Sequence, residues 1–277
     1  MGTAWQIDTV EPLPSDVREA IAARVEAFDR TYSRFRDDSL VTRIASTAGT
    51  FAFPDDAAEL FELYRRLYEA TDGAVTPLVG RTLESLGYDR GYSLQRSAVT
   101  APVPRWEDSL AWDGHELQTV RPLVLDVGAA GKGYLVDIVG RLLDAAGIDT
   151  FVIDASGDIL HRGGTAIRVG LEHPLDATRA IGVVGLAGAS LCASASNRRA
   201  WGDGLHHIID PTTGLPTERV VAAWAIAPTA LVADGLATAL FLAEPARLAE
   251  FFEFDFVRMF SDGRVERSAH LNGELFV

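Results

Sequence analysis

Three short segments carry residue types and spacings that chemistry can use. In the apolar run 230–242 stand Asp234 and Thr238, spaced i, i+4. On a helix their oxygens would share one face. A carboxylate in so apolar a neighbourhood is costly unless something pairs with it. A hard cation such as Mg²⁺, held by the carboxylate, the hydroxyl and a ligand phosphate, would account for it. An Asp near a helix start, with a Thr bonded back to its own helix, accounts for the same spacing.

The second segment is Asp126-Val127-Gly128-Ala129-Ala130-Gly131-Lys132-Gly133-Tyr134, running on to Asp137. A glycine-rich loop feeding a helix start offers backbone N–H groups to an anion, and Lys132 adds charge. Two residues separate Gly128 from Gly131, and Gly133 follows the lysine. The spacing is therefore neither a P-loop nor GxGxxG. A tight turn into a helix with a surface lysine is the plainer reading.

The third segment is His206-His207-Ile208-Ile209-Asp210-Pro211-Thr212-Thr213-Gly214. Adjacent histidines do not share a helix face, so this is no metal-binding helix. His207 precedes two β-branched residues and would sit at a strand start, as ligand contact, acid/base or ordinary strand-end His. Asp210 could partner it, and Asp-Pro-Thr-Thr-Gly is a turn signal.

The elements that must position these residues follow from periodicity. Residues 4–10 alternate as a strand, and Asp16 should cap a helix carrying Val17, Ile21, Val25, Phe28 and Tyr32. Asp55-Asp56 should cap a second helix through Leu60, Leu63, Tyr64 and Leu67. Residues 33–39 form a charged loop and 71–77 a turn. Residues 123–127 read as a strand, 132–146 as a helix closed by Gly147, and 151–155 as a strand. Further strands are expected over 167–171, 181–185 and 220–227, and helices over 229–242 and 245–252. Asp262-Gly263 should turn a hairpin between 257–260 and 265–267. Strands and helices mix without strict alternation, which favours α+β.

Composition bounds the possibilities. The chain has 277 residues, a formal charge of −14 and one cysteine, Cys192. The acidity opposes a broad nucleic-acid surface. One cysteine makes neither an internal disulfide nor a multi-cysteine zinc site, and it reads as buried filler. The longest apolar stretch, 220–233, is interrupted by Pro228 and is too short for a membrane span. The N-terminus lacks the charged start and apolar stretch of a signal peptide, so a cytoplasmic chain is expected.

Taken in order, these segments resemble the ApbE family, the FAD:protein FMN transferases. The likeness is collinear across nearly the whole chain. Ser33 to Ser39 with Arg43-Ile44 resembles "FS-x-Y-x-x-D-S". Asp72-Gly73-Ala74 resembles "DGAFDP", and Asp126 to Asp137 resembles "LDLGGIAKGYAVD". Residues 153–163 resemble the "GGD" stretch, His207 to Pro216 "HIIDPxTGxP", and Ala233 to Leu240 "ADALATAL".

The resemblance implies one ApbE-like (T-fold-like) α+β domain over residues 1–277, with mixed sheets packed against helices. It implies Mg²⁺-dependent transfer of the FMN half of FAD to a Thr or Ser hydroxyl of an acceptor flavoprotein, releasing AMP. FAD hydrolysis to FMN and AMP, or FAD binding without chemistry, are the alternatives. Asp234, Thr238 and the Gly131 carbonyl would hold Mg²⁺. Met1, Phe35, Asp72, Gly73, Ala74, Gly128, Lys132, Tyr134, His207 and Ile209 would line the FAD pocket, and Glu172 would hold a nucleotide group. Lys132 would supply positive field, and His207, with Asp210, would take the acceptor proton. Phe35 stands where the family carries a tyrosine, so stacking survives there without the hydroxyl. Thr76 stands where the family often has Asp, and Ser194-Ala195-Ser196 replaces "TSG".

Overall fold

The computed structural model describes residues 3–276. Its centre is the strand Val220–Ala227, apolar along its whole length. Side chains on a strand alternate between faces. Ala223, Ala225 and Ala227 face a core built with helices, while Ala222 and Trp224 face a second core built with another sheet. A strand buried on both faces reads as a continuous apolar run, which is why no polar alternation marks it.

This strand sits in a seven-stranded sheet. The spatial order is Gln6–Thr9, Phe151–Asp154, Asp158–Arg162, Ser190–Ala195, Val220–Ala227, Asp255–Phe260, Val265–Arg267. Against one face lies a three-stranded sheet of Ile167–His173, Asp176–Leu186 and Gly273–Leu275. Leu171, Ile181, Val184 and Leu186 from it meet Leu191, Trp224 and Val257. A separate small sheet joins Gly49–Ala52, Glu116–Thr119 and Leu110–Trp112. Every ladder among the described residues is antiparallel. Helices and sheets together make the α+β class that the sequence implies.

The other face of the large sheet carries most of the helices found among the described residues. They are α1 (Ser15–Tyr32), α2 (Leu40–Ser46), α3 (Ala57–Ala70), α4 (Gly80–Ser85), α5 (Gly131–Ala145), α6 (Ala230–Ala239) and α7 (Pro245–Leu248). On α3 the buried set Leu60, Leu63, Tyr64 and Leu67 recurs at steps of three and four, so one face enters the core. Helix α6 is buried nearly all round because α3, α5 and the alanine face of the central strand surround it.

The start of α6 is held by a residue of another helix. Asp137 on α5 accepts the Ala230 amide at 2.9 Å and the Leu231 amide at 2.7 Å. Thr229 accepts the Val232 amide on Oγ1 at 3.3 Å and the Ala233 amide on its carbonyl at 3.1 Å. The three open N–H groups of the first turn, on Ala230, Leu231 and Val232, are thereby used, and the Ala233 bond begins the regular ladder. No anion is needed there.

Several expected elements differ. Residues 123–127 are not a ladder strand. Their amides reach outward, Leu123 to the Ile44 carbonyl at 3.1 Å and Asp126 to the Pro77 carbonyl at 2.8 Å. No strand–helix–parallel-strand unit results. Pro14, not Asp16, occupies the N-cap of α1, and Asp16 falls in its first turn. Asp56 is the N-cap of α3 but makes no capping bond; its carboxylate pairs with Arg24 instead. Helix α6 is shorter than 229–242, with Thr229 as its cap, and α7 ends at Leu248. Cys192 is free and buried, as its sequence context suggests.

Candidate active site

The Gly128–Lys132 turn, Asp234 and Thr238 of α6 and the His207–Ile209 segment converge on one cleft. Three neighbouring cavities, of about 570, 290 and 60 Å³, share Gly128 and Arg199 in their walls. The largest is aromatic, with Phe35, Tyr88, Tyr92 and Trp201 around it. The second is polar and takes in Lys132, Glu172, Ser194, His207, Asp234 and Thr238. The smallest is a slot between Ala74, His207, Ile209 and Thr238.

The start of α5 meets the middle of α6 at the polar cavity. Gly133, in the first turn of α5, donates its amide to Asp234 Oδ2 at 2.8 Å. A Cβ at Gly133 would lie 2.1 Å from the Ala230 carbonyl oxygen and 2.7 Å from Asp234 Cβ. Glycine is required there because backbone passes against backbone. Asp234 and Thr238 share the cleft face of α6, and Thr238 Oγ1 stands 3.4 Å from Ser194 Oγ.

Lys132 is not a free surface charge. Its Nζ lies 2.9 Å from Asp158 Oδ2 and donates to the Ala155 carbonyl at 3.1 Å. Asp158 is fully buried and stands first in its strand. Burial lowers the Lys132 pKa, but the charges of Asp158 and Asp234 outweigh it and the net shift is upward. Burial raises Asp158, against the pull of Lys132. Burial and the nearby Asp158 charge push Asp234 well above the usual carboxylate range, against Lys132 and the Gly133 amide. Two buried carboxylates thus share one lysine, a deficit of positive charge that a cation would relieve.

The donors fit a hard cation. Asp234 and Thr238 bring a carboxylate and a hydroxyl to the polar cavity, while Gly131, whose carbonyl the resemblance adds to them, opens α5 and lines the neighbouring aromatic cavity. Oxygen donors of this kind suit Mg²⁺. Among the described residues no three His, Cys, Asp or Glu side chains gather as a metal cluster. A metal here would therefore complete its shell with hydroxyl, backbone and ligand oxygens.

The loop amides expected to cradle an anion are mostly used within the protein. Gly128 donates to Asp126 Oδ1 at 2.7 Å, Gly131 to the Val127 carbonyl at 2.7 Å, and Gly133 to Asp234. The cation left for an anionic ligand is Arg199, which lines every cavity and is in no ion pair among the described residues. Asp126 itself is held by Arg34 at 2.5 Å. Burial raises its pKa, but the Arg34 charge and hydrogen bond and the Gly128 amide bring the net value below the usual range.

His207 is half-buried, and its Nδ1 is buried with no partner. Burial, with the nearby Arg199 and His206 charges, pushes its pKa down to about 3. The ring is neutral at ordinary pH. Asp210 does not reach it; Asp210 Oδ1 accepts the Thr212 amide at 2.8 Å and its carbonyl the Gly214 amide at 2.8 Å. Asp210 is a turn residue, because the Pro211–Gly214 reversal draws its carboxylate along the chain.

Other expected residues divide in the same way. Phe35, Ala74, Gly128, Gly131, Lys132, Glu172 and Ile209 line the cleft. Glu172 is paired with Arg198 at 2.8 Å. Tyr134 lines none of the three cavities: it points into the core, and its hydroxyl donates to the Asp56 carbonyl. Two helical steps beyond Lys132 turn it away from the loop. Asp72 and Gly73 also miss the cleft. They form the left-handed turn that ends α3, with φ of 51° and 89°, and deliver Ala74 to the slot. Met1 lies outside the described residues. Sequence reasoning did not single out Asp158, Arg34 or Arg199 as site residues. An acidic residue heading an apolar strand was the available signal for Asp158; Arg199 gave none.

Comparison with known proteins identifies the family of the whole chain. The model of the ApbE family matches residues 1–259. The FAD:protein FMN transferase of Klebsiella pneumoniae is 29% identical over 275 residues, covering 89% of this chain and 77% of that protein. That of Treponema pallidum is 29% identical, covering 97% and 85%. The flavin transferase ApbE from Vibrio cholerae superposes with a TM-score of 0.80 at 25% identity, covering 97% and 94%. An ApbE protein from Thermotoga maritima shares the fold with a TM-score of 0.83 at 23% identity, covering 97% and 94%. The chain belongs to the ApbE family, the enzyme family of these flavin transferases.

Proposed function

We propose that the protein, acting as one domain over residues 1–277, transfers the FMN half of FAD to a Thr or Ser hydroxyl of an acceptor flavoprotein, in an Mg²⁺-dependent reaction that releases AMP. The observation that carries this is the meeting of Asp234, Thr238, Lys132 and His207 around a single polar cavity, joined to an aromatic one through Gly128 and Arg199. Phosphoryl-type transfer depends mostly on positioning and charge neutralisation.

Each residue has work that its surroundings support. Asp234, Thr238 and Gly131 hold the cation, whose contribution when bound is to neutralise the pyrophosphate and the leaving AMP. Lys132 holds Asp158 and keeps the buried charge near balance. Arg199 binds phosphate oxygens. His207, neutral and with an open Nδ1, accepts the acceptor hydroxyl's proton. Its low pKa in the free protein rises when a pyrophosphate anion lies beside it, since a nearby negative charge favours imidazolium.

The test is incubation with FAD, Mg²⁺ and a peptide bearing an acceptor Thr. A covalent mass gain equal to FMN on the peptide, with AMP released, is expected. FMN and AMP without an adduct would mark an FAD pyrophosphatase. Intact bound FAD would mark a binding protein.

A further inference from the structure

We propose that Arg34 is a specificity-determining residue that reads the flavin ring, its Nη groups donating to the adjacent N1 and C2=O acceptors of the isoalloxazine. The inference rests on the flavin-transfer reading above and adds which end of FAD enters the aromatic cavity.

Arg34 is buried, with 4% of its side chain exposed, and it lines the 570 Å³ cavity. Its Nε is committed to Asp126. Both Nη atoms are buried without any hydrogen-bond partner. Guanidinium carries five N–H donors in a fixed fork, so four remain open. Leaving buried charged donors unpaired is expensive. The arrangement makes sense when a ligand supplies acceptors.

The chemistry of that ligand follows from charge and shape. Asp126 neutralises Arg34, so the pair suits an uncharged acceptor edge, while Arg199 remains for phosphate. The surrounding walls are flat. The guanidinium carbon is 4.2 Å from the Phe35 ring centre and 5.0 Å from that of Tyr88. Tyr92 stacks on Phe35 at 5.0 Å and 7°. It is 54% exposed and has φ +50°, a strained value for a bulky residue. Tyr92 is therefore the part of the wall that an entering planar ring displaces most readily. A ring that enters at Tyr92 meets the same Phe35 ring that the Arg34 guanidinium faces at 4.2 Å.

The fork distinguishes the two rings of FAD. Isoalloxazine presents two neighbouring acceptors, N1 and C2=O, which match parallel N–H donors. Adenine sets its N6 amino donor beside N7 or N1, so a fork of donors meets a donor.

The experiment titrates wild type, Arg34→Lys and the double variant Arg34→Met/Asp126→Asn with riboflavin, by fluorescence, and with ADP, by calorimetry. Lysine keeps the charge for Asp126 but lacks the fork. The double variant leaves no carboxylate unpaired. Riboflavin should bind about 10- to 100-fold more weakly to both variants. ADP should keep its affinity within about twofold, which also shows that the variants are folded. Unchanged riboflavin affinity overturns the proposal. So does an equal loss for both ligands, or a loss confined to ADP, which would assign the cavity to adenine. Failure of the wild type to bind FAD or riboflavin at all would instead sink the flavin-transfer reading, and this inference with it.

Discussion

The backbone amide of Gly133 donates to the Asp234 carboxylate at 2.8 Å. This bond ties the first turn of α5 to α6 and sets Asp234 beside Lys132 and Asp158. The site is thus built at the crossing of two helices and not by one motif.

Replacing Gly133 with Ala forces a methyl group to 2.1 Å from the Ala230 carbonyl oxygen. Backbone must shift, because neither partner is a flexible side-chain end. The expected cost is about 1–3 kcal/mol or more, read as a lower urea midpoint. Activity with FAD should fall further than stability does, since Asp234 moves with the helix. A variant with wild-type midpoint and turnover would contradict the close approach.

Asp234→Asn should separate function from stability. The amide oxygen can still accept from Gly133, but the negative charge is gone. Turnover should drop by about 10²–10³, as for loss of a charge-stabilising group. In the folded protein the Asp234 pKa is raised. Its contribution to stability is therefore present below the unfolded value and lost as pH rises through the folded one. At neutral pH, without metal, Asp234→Asn should melt higher than wild type. Added Mg²⁺ should raise the melting temperature of wild type and leave the variant unmoved.

Lys132→Met strands Asp158, which is fully buried. Breaking one side of a buried pair costs about 3–5 kcal/mol. Lys132→Met/Asp158→Asn should recover most of that stability and none of the activity. Denaturant unfolding of wild type, Lys132→Met, Asp158→Asn and the double variant, combined in a double-mutant cycle, measures the coupling.

His207 should make acid stability steep. Its folded pKa is pushed down to about 3, below the unfolded value of about 6.5. Between these values the unfolded chain binds a proton that the folded chain refuses. Stability is full above the unfolded value and falls as pH drops through this window, by roughly 4–5 kcal/mol when the whole window is crossed. His207→Gln should flatten the fall. A stability curve from pH 7 to pH 3 for both proteins checks it; identical slopes would place the ring in water and not in the core.

How much of this was legible beforehand depends on the range of the forces involved. Local periodicity and turn chemistry act over a few residues. The stretches of α1, α3, α5 and α6, the Asp262-Gly263 hairpin and the i, i+4 pairing of Asp234 with Thr238 could therefore be read from the sequence. So could the ApbE resemblance, since its segments keep their order along the chain. The strand expected at 123–127 failed because an apolar run shows burial and not a partner; its amides bond to Ile44 and Pro77, both more than 40 residues away.

Residue types and their order determined which groups were available: an aspartate and a threonine on one helix face, one lysine after a glycine loop, one histidine before a short strand. Tertiary structure decided what each became. Asp137 caps another helix, Asp210 stays in its own turn, Tyr134 enters the core, and Lys132 meets Asp158 across 26 residues of chain. The reason is electrostatic. A charge's pKa and reach depend on burial and on partners brought near by packing, and neither is written at the position that carries the charge.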